Sequence, residues 1–354
     1  MKKIILTGGG TAGHVTPNLA LLPRLKELGF EVNYIGSYQG MEKALVEAEG
    51  IPYYGISSGK LRRYFDVKNF TDPFRVLKGF REARRLMKEL RPDVVFSKGG
   101  FVTVPVVIAA HRAHIPVVLH ESDMTPGLAN RLCLSSADVI CTNFPETVSS
   151  LPGNKAVLTG TPIRSALLSG DAERGLAFCH LSGEKPVLLV MGGSLGATPV
   201  NDRIREILPR LLGRFEVVHL CGKGKLDPSL QGTPGYVQFE YISEELPDLF
   251  ALADVVVSRA GANAICELCA LAKPNLLIPL SANASRGDQI LNARSFEKQG
   301  FSVVLEEEEI RPDLLFTTIC QLYEDRDHYI DAMNKSSHLD SIEKICQILC
   351  QVSR

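Results

Sequence analysis

Three segments place polar groups where a ligand could meet them. Two are glycine-rich and follow short apolar runs: LTGGGTAGH at residues 6–14 and VMGGSLGA at 190–197. A turn of this kind lets backbone N–H groups approach a ligand, and the helix start behind it favours an anion. The third, SRAGANAICELCAL at 258–271, leads from an apolar run into a helical pattern. Ala262, Asn263 and Ala264 would offer amides at that helix start, with Glu267 about one turn further in. A carboxylate there can accept from two adjacent ribose hydroxyls, or it can simply favour the first helical turn. His14 closes the first loop. Its ordinary pKa near 6.5 suits proton transfer, and a helix N-terminus disfavours its charged form. It also reads as a capping or ligand-contact histidine. His120, beside Glu121, competes for the role of base or orders a loop.

Other chemistries fit less well. Gly8, Gly10 and Gly13 satisfy the GxGxxG spacing, but a nicotinamide site needs an acid about 20 residues on, at the end of the second strand. That strand ends in Tyr34-Ile35-Gly36-Ser37 with no carboxylate. Neither loop carries the Lys then Ser/Thr of a P-loop. Asp325-Arg326-Asp327 lies in a charged helical stretch and reads as a solvated face. No metal and no cofactor is expected. Nine cysteines are scattered, and Cys266 and Cys269 lack a second pair at zinc spacing. They read as small buried residues in a reducing compartment.

The elements that must carry these residues alternate short apolar runs with helical patterns, as in a parallel sheet covered on both faces. Strands are expected at residues 3–7, 31–35, 94–97, 117–120 and 139–142, with a helix over 17–28. The chain has 354 residues, 45% of them hydrophobic and 22% charged, which favours two folded domains over disorder. Lys plus Arg number 39 against 40 Asp plus Glu, so wholesale nucleic-acid binding is not expected. The pattern repeats: residues 6–14 pair with 190–197, DVVFSKGG at 93–100 with DVVVSRAG at 254–261, and IPVVL at 115–119 with KPNLLI at 273–278. Three pairs in one order predict an α/β architecture of two Rossmann-like, doubly wound halves facing across a cleft. The domains are expected at 1–162 and 163–335, with a C-terminal helix in 336–354 packing back on the first. Asp340 and Glu343 would form its capping box, and Ile342, Ile345, Cys346 and Leu349 its apolar stripe.

No apolar run reaches the roughly 18 residues of a membrane span, and the first one is too short for a signal peptide. Residues 60–91 hold eleven Lys/Arg and four Asp/Glu. Leu61, Tyr64, Phe65, Phe70, Phe74, Leu77 and Phe80 interleave with them. That composition suits a surface resting on anionic lipid, or an ordinary helix with a solvated basic face.

Seven segments together resemble the MurG family, the lipid-linked N-acetylglucosaminyltransferases of peptidoglycan synthesis. They are GGGTAGH (8–14), SKGGFVTVP (97–105), HESDMTPGLAN (120–130), GTPIR (160–164), GGSLGA (192–197), SRAGANAICE (258–267) and DQILNA (288–293). The resemblance implies a glycosyltransferase B fold. It implies UDP-N-acetylglucosamine as donor, lipid I as acceptor, and lipid II formed with inversion. It also implies that Arg164 and Ser194 contact the diphosphate and Ile242 the uracil. Ala262, Asn263, Ala264, Ile265 and Glu267 would hold phosphate and ribose, Gln289 the sugar hydroxyls, and Thr11, Ala12 and Gly13 the donor sugar. Many members carry Asn at the position of Asp123, near the sugar, and His-Gln at that of Asp288-Gln289. His14 is the expected general base. The expected location is peripheral, on the cytoplasmic face of the membrane against anionic inner-leaflet lipids, with no nucleic-acid partner. A UDP-N-acetylglucosamine 2-epimerase or a non-catalytic nucleotide-sugar scaffold would share the fold.

Overall fold

The run KKIILT forms the strand Lys2–Thr7 (β1), and its alternate residues enter two different cores. Ile4 and Leu6 join Val94, Phe96 and Val118, while Ile5 joins Val95, Val117 and Leu119. A strand covered on both faces has no position to give to a polar residue, hence the unbroken apolar run. The computed structural model describes residues 2–59, 68–193, 196–282, 287–336 and 340–353. The chain divides into two units, Met1–Arg164 with Asp340–Arg354, and Ser165–Leu339.

In the first unit the further strands are Phe30–Ser37 (β2), Tyr53–Ile56 (β3), Val94–Ser97 (β4), Val117–Glu121 (β5), Val139–Thr142 (β6) and Ala156–Leu158 (β7). They form one parallel sheet in the order β3-β2-β1-β4-β5-β6-β7. The second unit holds Val187–Met191 (β8), Glu216–Leu220 (β9), Tyr236–Phe239 (β10), Val255–Ser258 (β11), Asn275–Leu277 (β12) and Val303–Val304 (β13). Its order, β10-β9-β8-β11-β12-β13, repeats the first without a counterpart of β7, again all parallel. In each sheet the order reverses beside the first strand, and both glycine loops leave that strand. Doubly wound sheets bind ligands at this switch point, beyond the carboxyl ends of the strands.

Three local expectations are corrected. The helix expected over 17–28 is two short ones, Thr16–Ala20 and Leu22–Glu27, each with a proline near its start. Pro23 has no N–H to continue the first helix, so the chain restarts at Leu22. The C-terminal helix is Ser341–Val352, but Asp340 makes no side-chain cap bond. Glu343 instead meets Arg24, with Nε to Oε2 at 2.9 Å. Ile345, Cys346 and Leu349 are buried in the Ile4/Leu6 cluster, and buried Ser341 donates through Oγ to Thr161 O at 2.8 Å. The third correction concerns the end of β2 and belongs with the site.

All nine cysteines are free thiols, and Cys266 and Cys269 are fully buried on the helix Ala262–Ala270. Of the basic segment, Leu61, Tyr64 and Phe65 lie outside the described residues. The helix Lys68–Leu90 buries Ala83, Leu86 and Met87 and leaves Phe74 and Leu77 exposed among exposed Arg75, Lys78, Arg81, Arg84 and Arg85. Among the described residues, no helix is long and apolar enough to cross a membrane.

Candidate active site

The first glycine loop leaves β1 at Thr7 and turns into a short helical segment, Ala12–His14. It is held from below. Buried Asn18 donates through Nδ2 to Thr7 O and Tyr34 Oη, both at 3.2 Å, and Tyr34 Oη donates to Gly8 O at 2.9 Å. Beside it runs a second loop, from β4 into the helix Thr103–Arg112, where Lys98 N donates to Thr7 O and Gly9 N to Gly99 O. Gly100 stands at φ +94°, and a Cβ there would run into Gly9 O. Only glycine permits both the backbone conformation and that approach.

His14 is half-buried on this platform. Its Nδ1 lies 3.1 Å from Gly9 O and 3.1 Å from Thr11 Oγ1. A carbonyl oxygen can only accept, so Nδ1 carries the proton and Nε2 keeps its lone pair. Burial, then the charge of Lys98, lowers the His14 pKa against the opposing pull of Asp123 and Glu42. His14 is thus held neutral, with the basic nitrogen away from its own loop.

His120 is built the other way. It is fully buried at the end of β5, with Nε2 2.8 Å from Gly160 O and Nδ1 3.0 Å from Lys98 Nζ. The carbonyl requires a proton on Nε2, and the ammonium fills the Nδ1 lone pair. Burial and Lys98 hold its pKa well below the ordinary value. Both nitrogens are committed, so His120 has no lone pair to offer a substrate. Next to it, buried Glu121 accepts from Asp123 N, Gly127 N and Asn130 Nδ2 at 2.8–3.0 Å, which sets the bend carrying Asp123.

Two residues here were not legible as site residues. Lys98 is 1% exposed, yet its only sequence signal is a lysine between a strand and two glycines. Glu42 supplies the carboxylate that the end of β2 lacked. It comes from the helix Met41–Ala48, is fully buried, and accepts from Ser37 N at 2.9 Å and Ser37 Oγ at 2.5 Å. Gly10 N lies 3.5 Å from its other oxygen. The acid at this strand end is therefore spent on the protein's own loops.

Two family models match the chain. Residues 4–142 match the glycosyltransferase family 28 N-terminal domain, and 187–347 the glycosyltransferase family 28 C-terminal domain. The UDP-N-acetylglucosamine–N-acetylmuramyl-(pentapeptide) pyrophosphoryl-undecaprenol N-acetylglucosamine transferase of Lachnospira eligens is 66% identical over 99% of each chain. Its counterpart in Lachnoclostridium phytofermentans is 62% identical over 99% of each. The chain is a member of the MurG family, within glycosyltransferase family 28. Among solved structures, Acinetobacter baumannii MurG aligns over 99% of this chain and 100% of its own, with a TM-score of 0.78 and 26% identity. The molecule is a glycosyltransferase of the B-fold class.

The positions of the second unit that the sequence singled out for the donor follow its strands at their carboxyl ends. Ile242 follows β10, half-buried. The helix Ala262–Ala270 follows β11, and its first i→i−4 bond is Ile265 N to Gly261 O at 3.1 Å. The amides of Ala262, Asn263 and Ala264 precede that bond, and Gly261 brings no side-chain acceptor to them. Ala262 and Ile265 are buried, and Glu267 is half-buried. Gln289, on the helix Asp288–Lys298, accepts from Leu280 N through Oε1 at 3.0 Å. Ser194 lies outside the described residues. In the first unit Thr11 and Ala12 are exposed, Gly13 and Asp123 half-buried, and Arg164 exposed at the end of the unit's first segment. Among the described residues, no group of three His, Cys, Asp or Glu side chains could hold a metal ion.

Proposed function

We propose that this chain transfers N-acetylglucosamine from UDP-N-acetylglucosamine to the 4-hydroxyl of the muramyl sugar of lipid I, giving lipid II and UDP. The relatives named for this reaction, identical at 62–66% over nearly the whole chain, support the substrates. The observation that carries the mechanism is the His14 tautomer, fixed by Gly9 O. His14 Nε2 takes the hydroxyl proton as the acceptor oxygen bonds to the anomeric carbon. The bond from that carbon to the diphosphate breaks on the opposite side, so the configuration inverts. Positive charge develops on the sugar and negative charge on the leaving diphosphate. Arg164, Ser194 and the amides of Ala262, Asn263 and Ala264 stabilise that leaving charge. Glu267 accepts from the ribose hydroxyls, the Ile242 backbone meets the uracil, and Gln289 meets the sugar. Thr11, Ala12, Gly13 and Asp123 contact the transferred sugar.

The acceptor lies in a bilayer, and we place the enzyme on the cytoplasmic face of the membrane. Exposed Phe74 and Leu77, amid exposed Arg75, Lys78 and Arg81, form the contact with anionic lipid. Vesicles rich in anionic lipid should sediment the protein at low salt and release it at high salt. A protein that stays in the supernatant at low salt contradicts the contact.

Incubation with UDP-N-acetylglucosamine and lipid I should release UDP and form lipid II in equal amounts. Epimerisation of the nucleotide sugar without acceptor, or UDP binding with no product, would replace this reading with a 2-epimerase or a scaffold.

A further inference from the structure

The buried ammonium of Lys98 is not used by this mechanism, and its cost demands a reason. A lysine is almost never fully buried unless its charge is met. Its ammonium donates to His120 Nδ1 at 3.0 Å and to Ser122 Oγ. Its backbone is pinned to the first glycine loop by the bond from Lys98 N to Thr7 O at 2.9 Å. Lys98 therefore touches the strand that ends in the His14 loop and the bend that carries Asp123.

We infer that Lys98 is a positioning residue for the transfer reaction: its ammonium, bound to His120 Nδ1 and Ser122 Oγ, fixes His120 as a donor to Gly160 and sets a positive charge behind His14. The first consequence is geometric. With Nδ1 filled, His120 must keep its proton on Nε2 and hold the start of the GTPIR segment through Gly160 O. The bond to Ser122 fixes the bend one residue before Asp123. The second consequence is electrostatic. The charged groups facing His14 are Lys98 after β4, Asp123 after β5, and Glu42 on the helix Met41–Ala48. The two carboxylates favour a charged imidazole; Lys98 opposes them, together with burial. Without Lys98, His14 would hold a proton at a higher pH and serve less well as a base.

The proposal rests on His14 as the general base, and two readouts separate them. Lys98→Met keeps the length and removes the charge; Lys98→Arg keeps the charge. In Lys98→Met the His14 titration midpoint, followed by NMR of the ring, should rise by about one pH unit. The acid limb of kcat/KM should rise with it. Lys98→Arg should leave both near the wild-type positions. Nitrogen-15 shifts of wild-type His120 should show a protonated Nε2 and an unprotonated Nδ1 across pH 5–9. An unmoved His14 midpoint in a folded Lys98→Met, or His120 protonated on Nδ1, overturns the inference. If the NMR midpoint moves while the acid limb stays, Lys98 keeps its role and His14 loses that of base.

Discussion

Nδ1 of His14 lies 3.1 Å from the carbonyl oxygen of Gly9, five residues back along the same loop. That one contact puts the ring proton on Nδ1 and leaves the lone pair on Nε2, as the proposed role of base requires. His14→Ala should lower turnover by about 10²–10⁴ and leave UDP affinity nearly unchanged in titration calorimetry. Because burial and Lys98 lower the His14 pKa, the neutral form persists below pH 6.5. The acid limb of the wild-type rate profile should therefore have its midpoint below 6.5. A midpoint above it would remove His14 from the role.

Glu42 closes the end of β2 from a different element. Glu42→Ala would leave the Ser37 amide and hydroxyl without their acceptor. The expected loss is about 1–3 kcal/mol of unfolding free energy, read as a lower urea midpoint at unchanged slope. The glycine loop should loosen with it, because Gly10 loses its carboxylate neighbour. An unchanged midpoint would mean that the carboxylate contributes nothing to the loop.

Two buried histidines tie stability to pH. His120 lies well below its ordinary pKa, and His219, between Tyr236 Oη and Asn201 Oδ1 at 3.0 Å each, is pushed down to about 3, chiefly by burial. In the unfolded chain both titrate near 6.5. The folded state thus binds fewer protons below 6.5, so stability is full above that pH and falls as pH drops from 6.5 towards 3. The slope should be roughly 1 kcal/mol per pH unit for each histidine. Melting temperatures between pH 7.5 and 5 should show the decline, and His219→Gln should reduce it. A flat profile over that range would contradict the buried neutral rings.

The C-terminal helix separates apolar from ionic contributions. Leu349 is fully buried against the β1 side of the first unit, whereas Arg24 and Glu343 keep 36% and 46% of their side chains exposed. Leu349→Ala should cost about 2–5 kcal/mol. Arg24→Ala should cost far less, because solvent screens an exposed ion pair. Chemical denaturation of the two variants distinguishes these sizes; equal losses would show that the ion pair matters as much as the packing.

Much was legible because the signals are local. Continuous apolar runs ending in glycines mark strands buried on both faces, and their repetition in one order gave the two doubly wound halves. The position of His14 at a loop-to-helix turn, and of Ala262–Ala264 at a helix start, follows from neighbours in the chain. Pro23 is just as visible, but the apolar pattern runs through it and masks the break it makes.

What tertiary structure decided are the partners. Lys98 meets His120 across 22 residues, and His120 meets Gly160 across 40. Glu343 is taken by Arg24 rather than by its own helix start. Each outcome depends on which strand ends lie side by side and how much water they exclude. Residue spacing carries no record of either. So the sequence by itself determined the class of fold and the family, through short-range periodicity and turn chemistry. Only the folded chain decided which histidine keeps a usable lone pair, because a proton's place is set by acceptors that come from distant segments.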